Sequence, residues 1–242
     1  MTVRAVLFDA GHTLLRPHPS VGEIYAREAA ALGARVEPGP LGEMFSRVFA
    51  ENESELAGAS MGAPASDAQD AAMWRSIVGK VHVRVPELRE IDPEAWYRRL
   101  YACFGQGDHW RLYPEVEKTL GDLRGRGLTL GIISNWSTRL RSIARATGLE
   151  PLVDFIVVSS EVGARKPDPR IFRAALERAG TAPSETVYVG DQVEDDVRGS
   201  ERMGIRPFLV RRKPGAPEGV DPNVILRDLS GLAPALLKAG SA

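Results

Sequence analysis

Four polar positions close or follow apolar runs: Asp9 ends "AVLFD", Ser134 and Asn135 end "LTLGIISN", Lys166 follows "DFIVVSS", and Asp191 ends "TVYVGD". Together they offer a carboxylate able to serve as nucleophile or metal ligand, a hydroxyl donor, an ammonium and a second carboxylate. Mg²⁺ prefers hard oxygen ligands, commonly one or two carboxylates completed by water beside a phosphate. The set is of that kind, with Lys166 to balance negative charge and Ser134 to hold a phosphoryl oxygen. Asp195 and Asp196 follow in "DQVEDD". On the first turn of a helix they would favour its N-terminus and could orient metal-bound water. Singly, each feature is also what a turn, a cap or a helix start looks like. Their succession at one strand end after another is what points to a site.

Such residues need a scaffold that brings strand ends together. The runs at 128–133, 154–160 and 186–191 resemble the first, short and β-rich between turn residues, as buried parallel strands are. Helical patterns lie between them: "PEVEKTLGDLRGRG" with Pro114 in its first turn, "STRLRSIARATG" with Leu140, Ile143, Ala144 and Thr147 on one face, and "DPRIFRAALERAG" opening on a cap and a proline. The alternation predicts an α/β fold, a doubly wound parallel sheet that gathers ligands at the carboxyl ends of its strands. "RPFLV", "NVILRDL" and an amphipathic "LAPALLKA" complete it.

Residues 17–108 break the pattern. They read as helices, among them "EIYAREAAALG", "LGEMFSRVFAENESEL", "DAAMWRSIVGKV" and "PEAWYRRLYACF", with a Gly/Ala/Ser/Pro loop at 58–67 and no convincing strand. Turn-rich "RPHPS" and "GQGDHW" bracket them as linkers. The expected organisation is a Rossmann-like core of 1–16 and 109–242 with a helical cap of 17–108 inserted after the first strand.

Composition narrows the function classes. A net charge of −1 over 242 residues argues against a dedicated nucleic-acid or anionic-membrane surface. Cys103 is the single cysteine, so no intrachain disulfide forms, and it sits on an apolar helix face where it is expected to be inert. No apolar run approaches the roughly 20 residues of a membrane span, and Asp9 falls inside the N-terminal apolar stretch. A cytoplasmic protein is the plain expectation.

The spellings "FDAGHTL", "IISN", "KPDPRIF" and "VGDQVEDD", in that order, resemble the haloacid dehalogenase superfamily, most closely its helical-cap, phosphatase-like members. The resemblance implies a Mg²⁺-dependent hydrolase acting on a small phosphorylated molecule, as a monomer or homodimer. Asp9 would attack phosphorus and form an aspartyl phosphate. Asp9, the Gly11 carbonyl and Asp191 would bind the metal, with Asp196 or Asp195 behind them. Ser134, the Asn135 backbone and Lys166 would hold the phosphoryl group, and Thr13 would fix the loop and border the substrate.

Gly11 departs from that pattern. The family's phosphatases carry there a second Asp, which protonates the leaving oxygen and then activates water; such catalysis contributes about 10²–10⁴-fold. Three readings follow: a phosphatase that is slow, limited to good leaving groups or given an acid by another residue, with His12 the nearest; a 2-haloacid dehalogenase-type hydrolase, since a halide needs no proton; and a catalytically weak relative that binds a ligand or partner. Retention of "VGD" and "EDD" favours the first, because the family's dehalogenases dispense with the metal. Phosphonate cleavage would need a cap lysine, and Lys80 reads as a surface residue. Trp136 could contact a substrate, Trp74, Trp96 and Trp110 read as core, and His82 as exposed.

Overall fold

The computed structural model describes residues 2–57, 64–212, 215 and 217–238. Strands β1 (Ala5–Phe8) and β2 (Leu15–Pro17) precede four helices, α1 (Val21–Ala30), α2 (Pro38–Ala57), α3 (Asp67–Arg84) and α4 (Pro93–Cys103). From there strand and helix alternate: β3 (Trp110–Leu112), α5 (Val116–Arg124), β4 (Thr129–Ser134), α6 (Arg139–Ala146), β5 (Phe155–Val158), α7 (Ser159–Val162), α8 (Pro169–Ala179) and β6 (Thr186–Gly190). The chain then runs through α9 (Gly199–Arg202), β7 (Arg206–Val210), β8 (Ile225–Leu226) and α10 (Leu232–Lys238).

Six strands form one parallel sheet in the order β5-β4-β1-β6-β7-β8, the Rossmann-like arrangement expected. β1 lies between β4 and β6, and all its side chains are buried. Successive residues of a strand face opposite sides. Val6 and Phe8 pack with Leu120, Leu123, Leu140 and Ile143 of α5 and α6, while Leu7 packs with Phe172 and Leu176 of α8. Helices on both faces are why these strands read as unbroken apolar runs. The helix signals also stand where expected. Asp168 caps α8 by accepting from the Arg170 N–H at 2.9 Å, and Gly180 ends it at φ 63°.

The four inserted helices bury a core of their own around Ile24, Tyr25, Ile77, Val81, Trp96 and Leu100. Trp96 is fully buried and donates its indole N–H to the Tyr25 carbonyl at 3.3 Å. Ser20 and Glu23 form a capping box at the start of α1.

Several expectations need correction. The linkers are not merely turns: β2 and β3 pair antiparallel, Leu15 with Leu112 and Pro17 with Trp110, so both crossings between core and insert run through one two-stranded ribbon. β5 stops at Val158, and Ser159 opens α7 rather than extending the strand. Asp195 and Asp196 do lie in the first turn of a helix, but it is a short, wide π-helix, Val193–Arg198, rather than an ordinary α-helix. His82 is half-buried, 3.0 Å from the Ile91 carbonyl. Trp74 is only half-buried and lines a cavity. The part of the expected 58–67 loop at 58–63 lies outside the described residues.

Candidate active site

The carboxyl ends of β1, β4 and β6 and the loop before α8 converge on Asp9. Its Oδ1 accepts from Lys166 Nζ at 2.7 Å and from Ser134 Oγ at 3.2 Å. The Lys166 ammonium also donates to Asp196 Oδ1 at 2.7 Å and to the Tyr188 hydroxyl at 2.9 Å, so its three protons meet three acceptors. Burial works against this cation, but the Asp196 and Asp9 carboxylates outweigh it and hold its pKa well above the usual lysine value. Lys166 is therefore charged at any physiological pH.

Asp196, 1% exposed, is the hub beneath the site. Its Oδ1 takes Lys166 and the Tyr188 hydroxyl (3.0 Å), while its Oδ2 takes the backbone N–H groups of Asp191 at 3.0 Å and Gln192 at 2.9 Å. A Cβ on Gly190 would come within 2.2 Å of this carboxylate, so the glycine of "VGD" is what lets Asp196 reach the strand end. Asp196, which the resemblance puts behind the metal ligands, has both its oxygens occupied by donors and orients Lys166 and the Asp191 backbone.

Thr13 differs from expectation. It is fully buried and off the cavity, and its hydroxyl lies 3.4 Å from Asp191 Oδ1, so it steadies that carboxylate rather than bordering a substrate. Asn135 acts through its side chain on the loop opposite: its Oδ1 accepts from the Lys166 N–H at 2.7 Å, and its Nδ2 donates to the Lys166 carbonyl and to Asp195. His12 is exposed at the cavity edge, with φ 57°. The left-handed residue of this turn is thus His12, not Gly11. A Cβ on Gly11 would meet only Trp136, at an ordinary 3.5 Å.

Asp9 and Asp191 carry the electrostatic tension. Burial raises the Asp9 pKa to about 6, with Lys166 opposing and Asp196 adding to the rise. Burial, then the charges of Asp9 and Asp196, push Asp191 well above the carboxylate range. Among the described residues no three His, Cys, Asp or Glu side chains are grouped to hold a metal. Two carboxylates short of positive charge do suit Mg²⁺, which keeps several waters and needs few protein ligands. Asp9 and Asp191, with a backbone carbonyl such as that of Gly11, therefore fit the ion by their chemistry.

Sequence reasoning missed Tyr188 and Arg212. Tyr188 is a phenol in the middle of the apolar strand β6, and that polar atom on an inward-facing position was its only signal. Burial, then Asp196, raises its pKa well above 10.0, so it stays protonated. Arg212 lies over the Tyr113 ring at 3.4 Å, pairs with Glu115 at 2.7 Å and donates to the Thr13 carbonyl at 2.9 Å, clamping the turn after Asp9. Its partners are far apart in the chain, and nothing local marked it.

Residues 3–204 match the haloacid dehalogenase-like hydrolase family. The chain belongs to it. It is 36% identical over 237 residues to the haloacid dehalogenase-like hydrolase domain-containing protein 3 of Danio rerio, covering 95% of each chain. It is also 39% identical over 140 residues to the phosphoserine phosphatase of Thermus thermophilus, covering 57% of this chain and 56% of the other. The Bacillus subtilis HAD-hydrolase YfnB shares the fold, with a TM-score of 0.73 at 20% identity and coverage of 98% and 99%. This haloacid dehalogenase-like hydrolase thus has phosphatases among its relatives, and its sheet and flanking helices are those of the family. Among its described residues no helix is long and apolar enough to cross a membrane.

Proposed function

We propose that this hydrolase is a Mg²⁺-dependent phosphatase acting on a small phosphate ester through an aspartyl phosphate on Asp9. The observation that carries the reading is the hydrogen-bonded set of Asp9, Ser134, Lys166 and Asp196 beside the second carboxylate, Asp191. Asp9 attacks phosphorus, the bond to the leaving oxygen breaks, and water later cleaves the acyl phosphate. Lys166 neutralises the phosphoryl oxygens, Ser134 and the Asn135 backbone N–H donate to them, and the Asp196 carboxylate keeps Lys166 in place. A bound Mg²⁺ supplies charge neutralisation at Asp9 and Asp191, favouring their ionised forms. The likeness to a phosphoserine phosphatase supports phosphoryl chemistry.

Asp191 also speaks against the dehalogenase alternative. Displacing halide from a carboxylate substrate gains nothing from a second buried carboxylate that repels it. The helices between β2 and β3 act in this reading as a lid, hinged on the ribbon. Acetyl phosphate, whose leaving group needs little help, is the test. Mg²⁺-dependent hydrolysis lost in both Asp9→Asn and Asp191→Asn is expected. Turnover surviving in Asp9→Asn would move the chemistry elsewhere.

A further inference from the structure

We infer that the ester this site takes is the phosphate monoester of a small aromatic alcohol, a phenol-type leaving group. The inference rests on the phosphatase reading and names its substrate class.

Three observations carry it. First, a ring borders the place of the missing acid: the Trp136 indole stands 3.5 Å from where a Gly11 Cβ would be. The Trp136 backbone is held by the Ser159 hydroxyl, which accepts from its main-chain N–H and donates to its carbonyl, both at 3.0 Å, and its ring packs edge-on against Trp110 with centroids 4.8 Å apart. Second, a cavity of about 180 Å³ opens from Asp9 beneath the inserted helices. Phe45, Phe49 and Trp74 line it half-buried, with planes 7–29° apart and centroids 5.7–6.4 Å apart. A cavity of about 150 Å³ is enough to admit benzene, so one ring beside a phosphoryl group matches the space. Third, several polar groups on the wall already have partners inside the protein. Asp70 pairs with Arg139 at 2.9 Å, the Tyr97 hydroxyl donates to the Ala71 carbonyl at 2.9 Å, and Asp195 accepts from Asn135 at 2.8 Å. A polyol or sugar would set its hydroxyls against aromatic faces, whereas a flat ring stacks on them.

The leaving-group chemistry agrees. A phenol titrates near 10, so phenolate departs without a proton from the enzyme; an alkoxide is close to hydroxide, whose parent water titrates at about 15.7. Asp9 Oδ forms the new bond to phosphorus, and the P–O(aryl) bond breaks with its electron pair leaving on phenolate. Phenolate takes its proton from water. Water then attacks the aspartyl phosphate, releasing inorganic phosphate and restoring the Asp9 carboxylate.

The experiment compares phenyl, benzyl, acetyl and glycerol phosphates with Mg²⁺ in wild type and Trp74→Ala, alongside binding of benzylphosphonate followed by tryptophan fluorescence. Phenyl and benzyl phosphate present the same ring but different leaving groups, and kcat for benzyl is expected to be lower by at least about 10²-fold, the smaller general-acid factor. Glycerol phosphate should have the highest KM of the four. Trp74→Ala should lower the phenyl-to-acetyl ratio of kcat/KM by about tenfold, the worth of a lost ring contact. Acetyl phosphate turnover with no preference of phenyl over glycerol phosphate would overturn the substrate class and leave the phosphatase reading standing. Inert acetyl phosphate would remove that reading, and the inference with it, even if benzylphosphonate bound.

Discussion

At the residue scale, the site depends on a buried ammonium with three acceptors and on a carboxylate with four donors. Removing one member leaves the others unsatisfied, which costs more than the bond itself contributed. Tyr188→Phe deletes one acceptor of Lys166 and one donor to Asp196. It is expected to destabilise the fold by about 1–3 kcal/mol, read as a lower denaturant midpoint at unchanged slope. Gly11→Asp tests the absent acid. Gly11 has no left-handed φ, and its Cβ direction meets one ring edge at 3.5 Å, so the variant should fold with little loss of melting temperature. Its carboxyl must share space with Trp136, so the gain on alkyl phosphates should fall below the roughly 10²-fold end of the general-acid range. Phenyl phosphate should gain least. A folded variant with no gain on any alkyl ester would show that the acid is not the only missing part.

At the element scale, two connections matter. The π-type turn after β6 curls Asp196 back over Gly190, so Gly190→Ala must push that carboxylate away from the Asp191 and Gln192 N–H groups. Loss of most turnover is expected together with a lower melting temperature, measured on the same preparation. The other connection latches the insert to the core. Asp67 of α3 accepts from the Thr138 N–H at 2.9 Å and from its hydroxyl at 2.5 Å. Arg139 of α6 pairs with Asp70, donates to the Tyr101 carbonyl at 2.9 Å and stacks on the Tyr101 ring at 3.6 Å. If the ribbon β2–β3 is a hinge, as proposed, these contacts would hold the lid shut and shield an acyl phosphate from bulk water. Asp67→Ala combined with Arg139→Ala should enlarge the radius of gyration in solution scattering. An unchanged value in that double variant would count against a moving lid.

At the scale of the whole molecule, the charge of the site links stability to pH and metal. In the metal-free protein burial holds Asp9 at about 6, against 3.8 for an ordinary aspartate, and Asp191 moves the same way. The folded state thus binds protons that the unfolded chain has released. This contribution is fully present below about pH 4 and is lost as the pH rises through about 6. Mg²⁺ bound as proposed at Asp9 and Asp191 would replace those protons, so it should raise the melting temperature clearly at pH 8 and little at pH 5. Thermal scans at both pH values, with and without Mg²⁺, check this, and equal shifts at the two would speak against a cation between Asp9 and Asp191.

Local order in the chain determined a good deal. The parallel sheet was legible because strands covered on both faces must be apolar at every position, and the helix ends because Asp168 and Gly180 act on their own neighbouring backbone. Asp9 and Asp191 were legible because each directly follows its strand, Ser134 because it ends one, and Lys166 because it lies in the loop that follows β5 and α7. What the tertiary structure alone decided involves groups that meet across long chain separations. That Asp196 Oδ1 takes Lys166 and Tyr188, that Tyr188 completes the coordination of Lys166, and that Arg212 clamps the turn at Thr13 depend on groups 8 to 199 positions apart. The β2–β3 ribbon joins segments on either side of the insert, and its three-residue strands are too short for a periodic signal. Read alone, Trp74 is a packing residue and Trp136 one that could contact a substrate or simply pack. Only the closure of α2 and α3 over the sheet gives their rings a common cavity with Asp9, because burial and exposure are properties of the assembled fold.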